Sequence, residues 1–61
     1  MEPYFLRISD VIDLTALSRS SIYRMINDGE FPAQISVGNR QVRWSRKEVL
    51  DWCDEKLVTG K

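Results

Sequence analysis

Apolar side chains recur along this chain with two different periods, and the changes of period divide it into four pieces. In the first, Ile8, Val11, Ile12 and Leu14 fall on one side of a helix, while Asp10 and Asp13 point away. Ser9 is the predicted N-cap, with Asp10 in the first turn, where negative charge is favoured. This helix is expected to stop near Thr15. A second helix is predicted over 18–28. Ser18 caps it, Ile22, Met25 and Ile26 repeat at spacings of three and four, and Gly29 supplies the left-handed residue that ends it. Only Thr15, Ala16 and Leu17 lie between the two helices, which makes them an αα corner, the unit of the helix-turn-helix. Pro32 then bars any return to helix.

The period drops to two over 33–44. Ile35 and Val37 alternate with Gln34 and Ser36, and Val42 and Trp44 alternate with Gln41 and Arg43, the pattern of a β-hairpin. Because a one-residue slip inverts the faces, parity restricts the register. A Gly38-Asn39 loop pairs Ile35 with Val42 and Ala33 with Trp44. A loop of 38–41 pairs Val37 with Val42 and Ile35 with Trp44. A three-residue loop splits the apolar residues between faces unless a bulge intervenes. The last piece is a helix opened by Ser45-Arg46-Lys47-Glu48, a capping box. Its apolar arc is Val49, Leu50, Trp52, Cys53 and Leu57, with Asp51, Asp54 and Glu55 outside it, and residues 59–61 are expected to fray. The order is helix, tight turn, helix, hairpin, helix: a mainly α fold with a small β-hairpin, a winged helix-turn-helix. A two-stranded hairpin is not stable alone, so its apolar face is expected on the helices and its tip to project as a wing. Trp44, Trp52 and Phe31 sit in core phase. At least one of Tyr4 and Phe5 is expected to fold back onto the core.

Sixty-one residues make one domain, 1–61, with no room for a second core. Cys53 is the sole cysteine and there is no histidine, which excludes an internal disulfide, a Cys/His zinc site and a cysteine–histidine catalytic pair. Cys53 therefore reads as a small buried side chain. With no glycine-rich phosphate loop and no metal cluster, the expectation is no enzyme, no cofactor and no metal. No apolar run reaches membrane-spanning length and the start lacks a signal-peptide pattern, so the expected compartment is the cytoplasm, without membrane association.

Net charge is zero, yet its distribution is lopsided. Residues 18–47 hold six bases and two acids, a net of +4, and the remainder carries −4. Such a split fits either a one-sided electrostatic footprint for a polyanion or a randomly mixed solvated surface, and charge alone favours neither. At 100° per residue, Ser20, Arg24 and Asn27 lie opposite the Ile22 stripe, with Tyr23 on one flank, Ser21 and Asp28 on the other, and Arg19 near the N-terminus. Arginine pairs with guanine, asparagine with adenine, and hydroxyls serve bases or phosphates. Asp28 repels a backbone, so a duplex is expected to lean toward Tyr23. On the wing, Arg40 at the tip with Gln41 and Arg43 beside it is placed for phosphate or minor-groove contact. Arg43 and Gln34 are expected to share the polar face. The candidate DNA-contacting set is Arg19, Ser20, Ser21, Tyr23, Arg24, Asn27, Arg40, Gln41 and Arg43.

The run Leu6-Arg7-Ile8-Ser9-Asp10-Val11, then 17–26, Gly29 and Phe31-Pro32, resembles the AlpA family of prophage-associated transcriptional regulators, relatives of phage excisionases. Gly38, Val42-Arg43-Trp44, Val49 and Trp52 extend the resemblance over about positions 5 to 57. It implies a MerR-like winged helix-turn-helix with recognition helix 18–28 and wing 33–44, acting on double-stranded DNA in a bacterial or phage-encoded, nucleoid-associated setting. The chain departs from the pattern at Ala16, where many members carry glycine, which implies a turn residue that is not strongly left-handed. Two other readings share these features. One is an excisionase-like architectural factor that directs a recombinase, self-associating on adjacent DNA sites. The other is a protein-interaction module whose acidic third helix meets RNA polymerase or a recombinase.

Overall fold

The computed structural model describes residues 3–59. In chain order the elements are β1 (Phe5–Leu6), α1 (Ile8–Thr15), α2 (Arg19–Asn27), β2 (Ile35–Gly38), β3 (Gln41–Ser45) and α3 (Arg46–Thr59). The expected helix-helix-hairpin-helix order holds, preceded by a short strand that periodicity did not announce. β3 is the central strand of an antiparallel sheet ordered β1-β3-β2.

The N-cap of helix α1 lies two residues before the expected one. Arg7, not Ser9, is the N-cap, and the Asp10 carboxylate accepts from the Arg7 backbone N–H at 3.1 Å. Asp10 thus reaches back from the third helical position, an acid answering the positive end of the helix. The helix closes at Ala16, whose φ of 61° is left-handed, contrary to the expectation drawn from its side chain. The turn is held from both sides. Ala16 N–H donates to Ile12 O at 2.8 Å, the Thr15 hydroxyl donates to Val11 O at 2.8 Å, and Leu17 N–H donates back to Thr15 Oγ1 at 3.3 Å. A left-handed L-residue costs about 1–2 kcal/mol, and a turn this heavily bonded sustains it.

Helix α2 starts and stops where its signals place it. Ser18 Oγ accepts from Ser21 N–H at 3.1 Å. At the other end Gly29 has φ 76°, Gly29 N–H donates to Ile26 O and Glu30 N–H to Met25 O. These two bonds are the Schellman closure, which satisfies carbonyls the helix leaves open.

The hairpin adopts neither even register. Ile35 pairs with Arg43, Ser36 with Val42 and Gly38 with Gln41, with the irregularity between Ser36 and Gly38 leaving Val37 as the extra residue. The loop is Asn39-Arg40, and Arg40 holds the left-handed position at φ 58°. The bulge is what admits the odd register. Its cost is visible: Ile35 and Val42 stand on opposite faces, and Ile35, Val37 and Val42 each remain about two-fifths exposed. The helices therefore do not cover the wing's apolar residues as a single face. Gln34 and Arg43 do not share a face either, since Arg43 stands opposite Ile35. Gln34 Oε1 is buried without a hydrogen-bond partner.

One side of the central strand decides the core. Trp44 is fully buried, and β1 sets Leu6 directly opposite it. With Val11, Ile22, Phe31 and Val49 these side chains form the core, flanked by Ile8, Ile12, Leu17, Met25, Ile26, Trp52 and Cys53. Strand alternation lets only one residue of β1 face inward. Leu6 takes that place and Phe5 points away, while Tyr4 lies before the strand, so neither aromatic folds back and both are exposed. Leu14 is also half exposed, because α1 meets the core through Val11 and Ile12. The Trp44 indole donates to Pro32 O at 3.0 Å and the Trp52 indole to Glu30 O at 2.9 Å. Together they hold the 30–32 segment that links α2 to the wing.

Helix α3 opens with Glu48 N–H donating to Ser45 Oγ at 3.2 Å. Arg46 ties it to the N-terminal segment, its N–H donating to Tyr4 O and its Nε to Pro3 O. The helix continues through Thr59, where fraying was expected, and outruns the core, leaving Leu57 exposed instead of packed. The expected fraying of Gly60 and Lys61 lies outside the described residues, as do Met1 and Glu2. No helix among the described residues is long and apolar enough to cross a membrane.

Candidate nucleic-acid interface

Helix α2 presents its polar side because Ile22 is fully buried and Met25 and Ile26 are half-buried against the core. That orientation leaves Arg19, Ser20, Arg24 and Asn27 exposed. A nine-residue helix is about 14 Å long, enough to pass about four base pairs.

Six of the nine sequence-selected residues are separated from three by what they already bond to. Arg19, Arg24, Asn27 and Arg40 have no side-chain hydrogen bond or ion pair among the described residues, and Gln41 is an exposed strand residue opposite Gly38. Ser20 has only a 3.4 Å contact with the Ser18 hydroxyl. Ser21 is more committed: it is half-buried and accepts from Ser18 Oγ at 2.9 Å. Tyr23 sets its ring edge-on against Trp44, with centroids 6.0 Å apart at 64°, and keeps about a third of its surface open. Its ring thereby joins α2 to the central strand. Arg43 is half-buried and donates through its guanidinium to Val42 O at 2.8 Å.

The other bases of the positive segment are spent within the protein. Lys47 pairs with Asp51 at 3.0 Å, and Arg46 holds the N-terminal segment. Within 18–47, the bases with no side-chain partner among the described residues are thus Arg19 and Arg24 on α2 and Arg40 at the wing tip. Arg40 owes its position to the Asn39-Arg40 turn, a location sequence parity did not resolve. Ser18 and Tyr23 set the geometry of this surface, Ser18 by closing the first turn and Tyr23 by fixing α2 against Trp44. The serine was legible as a cap; the aromatic contact joins residues 21 positions apart, and no local pattern signals it.

Cys53 is half-buried on α3. Burial and, secondarily, the neighbouring Asp54 carboxylate push its thiol above the ordinary range. Among the described residues no group of three or more Cys, Asp or Glu side chains is arranged to hold a metal ion.

A family profile described as prophage CP4-57 regulatory protein (AlpA) matches residues 4–57. The uncharacterized protein ORF88 of Enterobacteria phage P4 is 50% identical over 57 residues, covering 93% of this chain and 65% of the phage protein. The chain thus spans slightly less than two thirds of that relative's length. No solved structure matches.

Proposed function

Since the chain belongs to the AlpA family of prophage regulatory proteins, we propose that it acts by binding double-stranded DNA, with α2 in the major groove and the wing on the adjacent backbone or minor groove. One observation carries this reading: among the described residues Arg19, Arg24 and Arg40 have no side-chain partner, whereas Arg43, Arg46 and Lys47 are bonded internally. Ser20, Arg24 and Asn27 read base edges, hydroxyl, guanidinium and carboxamide being the groups suited to them. Arg40 contacts phosphate and sets register without reading sequence. Tyr23 orients the helix through Trp44 and offers its exposed edge to the duplex.

A helix that passes about four base pairs supplies little specificity alone, so a second copy or a partner on an adjoining site completes recognition. Selection from a random duplex library tests the proposal. The expected result is enrichment of a short motif, recurring in tandem where two copies bind. Recovery of unenriched sequence, at a salt dependence no steeper than that of a neutral protein, contradicts it.

A further inference from the structure

A groove runs between the 29–35 segment and α3, and none of the nine candidate DNA-contacting residues lines it. Its apolar lining includes Ile35, Trp52 and Val58, with Phe31 buried beneath them. Phe31 and Trp52 meet edge-to-face at 4.8 Å, and the Trp52 indole is fixed by its bond to Glu30 O, so this floor is preformed. Val58 and the adjacent Leu57 are each 83% exposed, an apolar extension of α3 that the described residues leave uncovered. Five carboxylates line the same groove, Glu30, Glu48, Asp51, Asp54 and Glu55, with Asp51 paired to Lys47 outside it and one base, Lys56, in the lining. That base is instructive: its ammonium lies 5.4 Å from the Trp52 ring centroid. A cation therefore already rests on the aromatic floor, where ring quadrupole and carboxylates both attract it.

We propose that this groove docks a basic, apolar-anchored segment of a protein partner, with an aliphatic side chain on Ile35, Trp52 and Val58 and flanking lysines or arginines on the acidic rim. Charge complementarity selects that occupant over an acidic or neutral one. The same carboxylates repel phosphate, so the groove stays clear of a duplex held at α2 and can be filled while DNA is bound. The inference goes beyond the DNA-binding proposal and stands independently of it.

The test is a titration of the isotopically labelled chain with a synthetic peptide alternating lysine and leucine, followed by the Trp52 indole N–H signal. Expected are shifts at Trp52 and over residues 29–35, with Ser20 and Arg24 unmoved. A peptide alternating lysine and serine binds about tenfold more weakly, and Asp54→Lys weakens the leucine peptide by about tenfold. Val58→Ser weakens it severalfold; both substitutions are on exposed positions and leave the thermal midpoint in place. Three results overturn the proposal. The Trp52 signal does not move with the lysine-leucine peptide; the two peptides bind equally, so that the rim attracts any polycation; or the chain alone self-associates through this groove in a manner lost in Asp54→Lys, which makes the occupant a second copy.

Discussion

Helix α2 is closed at both ends by bonds among its own near neighbours, whereas the wing takes its register from residues distant in the chain. Ser18 and the Gly29-Glu30 Schellman bonds bound α2 without help from the rest of the fold. In the hairpin, the constraint is Trp44. Its side chain must lie inward, opposite Leu6 of β1, and its indole must reach Pro32 O. Once Trp44 is fixed, the length of the Asn39-Arg40 loop forces an extra residue into β2, and Val37 becomes the bulge. The difference teaches where each half of the proposed interface is vulnerable: α2 through its caps, the wing through its tryptophan.

The largest expected effect follows directly. Trp44→Ala should destabilise the protein by about 3–5 kcal/mol. A domain of this length has roughly 3–9 kcal/mol in total, so urea unfolding should show a largely unfolded variant at room temperature. A folded Trp44→Ala protein with only its wing disordered would show that α2 and the wing are stabilised separately. A smaller effect is expected at the caps. Ser18→Ala removes the acceptor for Ser21 N–H and should lower stability by about 1 kcal/mol, with the urea midpoint shifted and its slope unchanged. Ala16→Gly should raise stability by about 1 kcal/mol, because glycine adopts the left-handed turn without the Cβ penalty. A loss of stability there would mean that unfolded-chain entropy outweighs the strain.

The smallest effect concerns Cys53. Its raised thiol range means the folded state holds the proton more tightly than the unfolded chain. Stability should therefore fall slightly as pH rises through the thiol range, and alkylation in mildly alkaline buffer should be slower than in urea. Equal rates in the two conditions would place the thiol in an unperturbed, open setting.

What the sequence disclosed follows the same division. The boundaries of α2, the tight corner and the start of α3 rest on caps and spacing, and all were legible. The cap of α1 was not legible: serine is the commoner cap, but Asp10 reaching back to Arg7 gives an equivalent closure two residues earlier. The left-handed Ala16 was not legible, because residue identity does not report φ where three bonds override the preference of the side chain. The register, β1 and the Tyr23–Trp44 contact were not legible, since each depends on groups brought together only by folding. Of the candidate site, the polar face of α2 could be read from helical phase. The internal commitments of Ser21 and Arg43 could not.

The central claim, that α2 reads sequence while the wing holds the backbone, is tested most directly by one comparison. Arg24→Ala and Arg40→Ala are titrated against the selected duplex and a scrambled one over a range of salt. Arg24→Ala should lose about 1–3 kcal/mol on the selected duplex and far less on the scrambled one. Arg40→Ala should weaken both alike and reduce the salt slope by about one. Equal losses on both duplexes for Arg24→Ala, or a change of base preference alone for Arg40→Ala, would contradict it.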